Sequence, residues 1–220
     1  FGITNLGALL IGYDLRRFHG LARRALRVVR YAGKGSFEII DDQTFNEGYA
    51  LSLPKAIDFV MGLAPRQEVT DGAFRRIVSA YPQRAVRELL SNTVIHQDLS
   101  DMTEGPLVMM YENRIEFSNP GTTLIPVERL LNAPPKARNM RLVNLMRQMD
   151  LCEEGGTGWD LAVASCEALH MAAPRMQSED GLGTKVTLLA GSAYDHMTKA
   201  ERRDAVYWHA CLMYDQGESM

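Results

Sequence analysis

An α+β fold is predicted by three features of this 220-residue chain. Several segments carry apolar residues at helical spacing. Others alternate in period two around turn residues, the pattern of antiparallel hairpins. Apolar content of 46% and charged content of 23% are those of a globular chain with one sizeable core.

From the N-terminus, "TNLGALLIG" (4–12) is a short apolar helix with Thr4 or Asn5 as N-cap. "ALRVVRYAG" (25–33) and "SFEIIDDQTF" (36–45) form an antiparallel pair around a "GKG" turn. "LPKAIDFVMGL" (53–63) is a helix with Pro54 in its first turn, followed by a loop. "YPQRAVRELLSNTVIHQDLS" (81–100) is the most helix-like segment; Ala85, Val86, Leu89, Leu90 and Val94 make one apolar face. "GPLVMMYENRIEFSNPG" (105–121) is a hairpin turning at Glu112-Asn113. A proline-broken connection precedes a helix over 140–150, and a glycine cluster then opens a helix over 158–170. A second hairpin turns at Asp180-Gly181. The helix 197–216 is capped by Thr198 with Glu201 three residues on.

Composition narrows the classes of function. No apolar run is long enough to cross a bilayer, and no secretory signal precedes the first helix. Three widely spaced cysteines fit a reducing, cytoplasmic setting rather than a disulfide scaffold. The five histidines show no HExxH spacing. The net charge of −3 excludes a polyanion binder overall. Residues 14–34 are locally basic; they read as a solvated surface, with a nucleic-acid contact as the alternative. Both chain ends read as cuts through a longer protein. Met109, Met110, Met140, Met146 and Met149 read as core, as does His209 as a packing residue.

Two constellations carry chemistry. Glu88 and Asn92 are four residues apart and project from one side of their helix, at the shoulder of its apolar stripe, with His96 one further turn along. A carboxylate there can accept a proton from an attacking water, and an amide oxygen can ligate magnesium. A polar edge with Glu88 paired to an arginine is the alternative. Gly155, Gly156 and Gly158 stand at a helix start, where unpaired N–H groups carry positive potential and glycine allows an oxyanion close. A flexible loop is the alternative. Neither a P-loop nor a dinucleotide fingerprint is present.

In this order, "RELLSN", "GGTGWDLAVASCEALH" and "GLGTKVTLL" resemble the N box, the glycine-rich helix start and the final strand pair of the ATP-binding domain shared by gyrase B, the large heat-shock chaperones, sensor histidine kinases and MutL. "NRIEFSNPGT", "ARNMRLVNLMRQMDLCEEGGTGWD" and "TNLGALLIGYD" narrow the likeness to a bacterial and archaeal group labelled RecG-related ATP-dependent DNA helicases or transcriptional regulators. The resemblance implies a two-layer α/β sandwich of the histidine-kinase-like ATPase (Bergerat) type over 51–192. A small αβ extension (1–50) precedes it, and a helix over 193–220 leads toward a winged-helix domain. It implies ATP with magnesium as ligand, Glu88 as water-activating base and Asn92 as magnesium ligand. His96 would join the nucleotide site. Gly155, Gly156 and Gly158 would face the phosphates and Thr184 the adenine. In the segment over the nucleotide, Lys136 or Arg138 would pair with phosphate; an exposed basic loop is the alternative. Where the superfamily has D-x-G-x-G, this chain has Asn119-Pro120-Gly121-Thr122-Thr123, so Asn119 and Gly121 would meet the adenine without a carboxylate. Trp159 is bulkier than the residue usual there; it packs under the sheet or fills part of the pocket.

Two functions follow. One is a nucleotide-binding, ATPase-like module of a DNA-associated transcriptional regulator, with DNA met by flanking domains and weak magnesium-dependent hydrolysis if Glu88 is placed for it. The other is a degenerate scaffold or homodimerisation domain that no longer binds ATP. Fold alone does not choose between them.

Overall fold

The computed structural model describes residues 2–71, 74–101, 105–131, 134, 136–152, 158–191 and 197–215. The chain begins with α1 (Asn5–Ile11), whose N-cap Thr4 accepts from Gly7 N. Two short 3-10 turns, Leu15–Arg17 and Ala22–Arg24, lead into β1 (Leu26–Tyr31) and β2 (Ile39–Phe45). α2 (Tyr49–Leu63), β3 (Arg66–Asp71), β4 (Phe74–Ser79) and α3 (Gln83–Ile95) follow. Then come β5 (Leu107–Met110), β6 (Arg114–Asn119), a 3-10 turn at Val127–Arg129 and α4 (Met140–Gln148). α5 (Gly158–Glu167), β7 (Arg175–Glu179), β8 (Gly183–Leu189) and α6 (Lys199–Asp215) complete the order.

The α+β fold predicted from the sequence is the one found. Six strands form one mixed sheet in the order β2-β1-β5-β6-β8-β7. Only β1 and β5 pair in parallel; the other pairs in this sheet are antiparallel. Alternation decides which face is covered. Along β8, Thr184, Val186 and Leu188 are buried while Lys185, Thr187 and Leu189 are partly open. Across the sheet, Val108, Ile115 and Phe117 join the buried side. α2 packs on α3, α3 on α5 and α5 on α6.

Two expectations about elements change. The helix expected from Leu53 starts four residues earlier, so Pro54 lies inside α2. The earlier start comes from tertiary contacts: Tyr49 is fully buried, donates to Arg24 O (2.7 Å) and accepts from Gln97 Nε2 (2.8 Å). The loop expected after Leu63 contains the β3–β4 hairpin, a separate two-stranded sheet. Its sequence, Arg66 to Asp71, is too polar to show a strand's alternation. β1 and β2, from the first 50 residues, belong to the main sheet.

The basic stretch is also not wholly a solvated surface. Arg24 is 1% exposed and donates to the carbonyls of Asp98, Leu99 and Asp101, tying the N-terminal segment to the loop after α3. Arg16, Arg27 and Arg30 pair with Asp14, Asp42 and Asp41 on the surface. Among the methionines, Met110 and Met146 are core, whereas Met140 and Met149 are exposed and Met109 is half-buried. His209 stands half-open against the Glu167 carboxylate instead of packing inside. No helix among the described residues is long and apolar enough to cross a membrane.

Candidate nucleotide site

α3 orients the site because its apolar stripe is fully committed to the core. Ala85, Val86, Leu89, Leu90 and Val94 are each 1% exposed or less. That fixes the rotation of the helix and leaves Glu88, Asn92 and His96 along its shoulder. Glu88 is drawn inside, at 2% exposure, with Arg87 Nε 4.0 Å from its Oε1. Asn92 and His96 are half-buried.

The first residue of α5 meets this edge. A Cβ on Gly158 would lie 3.1 Å from Glu88 Oε2 and 3.3–3.4 Å from the Asn92 amide atoms. The carboxylate-amide pair and the glycine helix therefore confront each other, in van der Waals contact at Gly158 itself. The open space lies beside that contact. It is a cavity of about 190 Å³ lined by Glu88, Asn92, His96, Asn119, Arg138, Gly158 and Thr184, among others. Gly121 stands just behind this wall: its carbonyl accepts from Thr184 Oγ1 (2.7 Å), and a Cβ there would lie 3.4 Å from Arg138 Nε. Gly155 and Gly156 lie outside the described residues.

The far wall comes from the paired ends of β6 and β8, where Asn119 faces Thr184. Asn119 is 6% exposed, and its Nδ2 donates to Pro120 O (3.1 Å), which makes Oδ1 the acceptor it has to offer. Thr184 Oγ1 also lies 3.3 Å from Ser178 Oγ, which accepts from Thr123 N (2.9 Å). This network holds the chain after β6 against β7 and β8. The backbone at Thr123, where a glycine was expected, is thus engaged with β7.

The cover over the cavity is anchored at both ends of α4. Asn139 Nδ2 donates to Ile95 O (3.0 Å) and Gln97 O (2.8 Å), at the end of α3. Ser91 Oγ donates to Leu151 O (2.9 Å) and Arg87 Nη2 to Asp150 O (3.0 Å), one to two turns further back. α4 is thereby laid along α3, and Val143 and Arg147 become cavity wall. Sequence reasoning missed Arg147. Its only local signal is an arginine in the last turn of a helix, the usual place for a solvated charge.

Arg138 is held in place: Nη2 donates to Thr122 O (2.9 Å) and Nη1 lies 3.7 Å from Asp98 Oδ2. The Ser100 hydroxyl and amide, with Arg138 beyond them, hold the Asp98 carboxyl below its ordinary range. Burial, assisted by Arg138, pushes His96 down to about 4, so its imidazole is neutral near pH 7. The unfolded chain protonates His96 below about pH 6.5, whereas the folded chain resists until about 4. Between these values the unfolded state binds more protons, so stability falls as pH drops through that window. His96→Gln is expected to flatten this part of the profile, read as urea midpoints from pH 7 to 4. An unchanged slope would contradict the assignment.

Comparison with known proteins bears on this geometry. Residues 104–188 match the family described as "Putative ATP-dependent DNA helicase recG C-terminal". Over these residues the chain is similar to an ATPase-like domain of the RecG-related family. The RecG-related segment runs from the start of the β5–β6 hairpin into β8, so it contains Asn119, Gly121, Arg138, Gly158 and Thr184. The α3 residues Glu88, Asn92 and His96 precede it and reach the same cavity through packing. No curated protein matches the chain. The DIP2311 protein from Corynebacterium diphtheriae has a solved structure similar to this one, with a TM-score of 0.75 at 21% identity. The likeness covers 97% of this chain and 44% of that one, and at this identity it speaks for the fold alone.

Proposed function

We propose that this chain is the nucleotide-binding, ATPase-like module of a cytoplasmic, DNA-associated regulator, with DNA engaged by parts of the protein outside this segment. One observation carries the reading. A single cavity joins the carboxylate and amide of α3, the first turn of α5 and the Asn119–Thr184 end of the sheet. These are the parts needed for a triphosphate tail at one end and a base at the other. Asn119 Oδ1 suits an exocyclic amino group. Neutral His96 and cationic Arg138 suit a ligand that brings its own negative charge. Magnesium arriving with the nucleotide would neutralise phosphate charge, and Asn92 Oδ1 is the kind of hard oxygen donor that holds it. Glu88, buried beside Asn92, is the carboxylate to take a proton from an attacking water. The ATPase activity so assigned is weak and magnesium-dependent.

A second reading has its own support. The cavity of about 190 Å³ is below the roughly 300 Å³ at the small end of ligand pockets. A scaffold that has given up ATP would look like this. A thermal-shift titration separates the two. ATP with magnesium at about 100 times Kd should stabilise the protein by roughly 2.7 kcal/mol, about 5–10 °C for a chain of this size. Asn92→Ala should remove the magnesium-dependent part. No shift with any nucleotide would leave the scaffold reading.

A further inference from the structure

Among the described residues, four buried side-chain N–H groups have no hydrogen-bond partner: Arg138 Nε, Arg147 Nε, Trp159 Nε1 and Arg175 Nη2. The first three belong to residues lining the one cavity just described, on three different elements. A buried donor left unsatisfied costs about 1–3 kcal/mol. Three such groups around one space are difficult to explain by packing and simple to explain by a ligand rich in acceptor oxygens.

Their placement narrows that ligand. Arg138 sits at the His96 end of α3, beside Asp98. Arg147 sits toward the Glu88 end, because Asp150 and Leu151 just beyond it are bonded to Arg87 and Ser91. Glu88 and His96 are eight residues apart, roughly 12 Å along a helix. No single small anion reaches both ends, whereas a nucleoside polyphosphate does. Trp159 follows Gly158, whose backbone presses on Glu88 and Asn92, so the residue stands toward the Glu88 end of the cavity.

Trp159 also has a neighbour beyond the cavity. It is 5% exposed, and its ring meets Trp208 of α6 edge to face at 5.7 Å. Tyr207, next to Trp208, donates to Glu128 O (2.7 Å) in the cover of the cavity. α6 therefore touches the glycine-helix wall and the cover together.

We propose that Trp159 and Arg147 are ligand contacts of this cavity, donating to oxygens of a nucleotide's phosphate chain, and that α6 reads occupancy through the Trp159–Trp208 pair. This rests on the nucleotide reading above and adds to it two binding residues and an output. The coupling follows from burial. The indole N–H is buried in this structure, so engaging it requires the ring to move, and Trp208 packs directly against that ring.

The two tryptophans of the pair are the only two in the sequence, so selectively excited tryptophan fluorescence reports on it alone. Calorimetric titration with magnesium–ATP, run beside emission spectra and ligand-free melting, tests the proposal. Trp159→Phe keeps a ring and removes the N–H; Arg147→Met keeps an apolar stem and removes the second donor, on a separate helix. Each is expected to weaken binding about tenfold (~1.4 kcal/mol); the Arg147 variant leaves the ligand-free melting temperature unchanged, since the lost N–H had no partner, whereas Trp159→Phe lowers it by the packing that the smaller ring gives up. Wild-type emission should shift at saturation. Wild-type binding with both variants within twofold, or with unchanged emission, overturns the inference and leaves nucleotide binding standing. Affinity loss in the Arg147 variant matched by a fall in its ligand-free melting marks Arg147 as a packing residue and overturns it too. Absence of wild-type binding removes both readings.

Discussion

Gly183→Ala is expected to cost about 2–4 kcal/mol of stability and to abolish nucleotide binding. Two penalties coincide at this position. The backbone has φ +80°, a left-handed conformation that costs an L-residue roughly 1–2 kcal/mol. A Cβ would also lie 2.5 Å from the carbonyl oxygen of Asn119, which is backbone and cannot swing aside. Relief requires the ends of β6 and β8 to separate where Asn119 faces Thr184, and that pair is the far wall of the cavity. Gly181 supplies the control. It has φ +79° but nothing within 4 Å of its would-be Cβ, so Gly181→Ala should lose only the conformational part, about 1–2 kcal/mol. Urea midpoints of the two variants measure the difference. Equal losses would show that the approach to Asn119 is not tight.

Glu88→Gln is expected to lower ATP turnover about 100-fold or more while changing magnesium–ATP affinity by no more than a few-fold. The substitution keeps the shape of a side chain at 2% exposure and removes its ability to take a proton. Gly158 lies against Glu88 Oε2, so a smaller residue would collapse the contact and confound the result. Phosphate release and calorimetry on the same preparation separate the outcomes. Undiminished turnover would exclude Glu88 as the base. Loss of binding together with turnover would make the carboxylate a structural partner of Arg87.

Legibility of the chain follows the range of the forces involved. The capping box of α6 was readable from Thr198 and Glu201, and the structure returns both reciprocal bonds, Thr198 N to Glu201 Oε2 and Glu201 N to Thr198 Oγ1. α3 was readable because five apolar residues at helical spacing outweigh every competing pattern. The start of α2 was not, since the residue that sets it, Tyr49, is held by Arg24 and Gln97 from distant parts of the chain. β3 was missed for a related reason: a polar strand in a two-stranded sheet leaves no period-two signature.

The candidate site divides in the same way. Which side of α3 bears Glu88, Asn92 and His96 was determined by the sequence, because helical geometry and an apolar stripe leave one orientation. The turn chemistry of the two hairpins was determined likewise, by glycine, asparagine and aspartate at their tips. The resemblance put Asn119 and Thr184 at one site, and the tertiary structure supplied the means, since strand register joins residues 65 positions apart. The tertiary structure alone turned Arg147 and Trp159 from an end-of-helix charge and an oddly placed ring into cavity wall. Helix periodicity acts over a few residues and is written locally, whereas the burial of a donor depends on which distant surfaces pack around it.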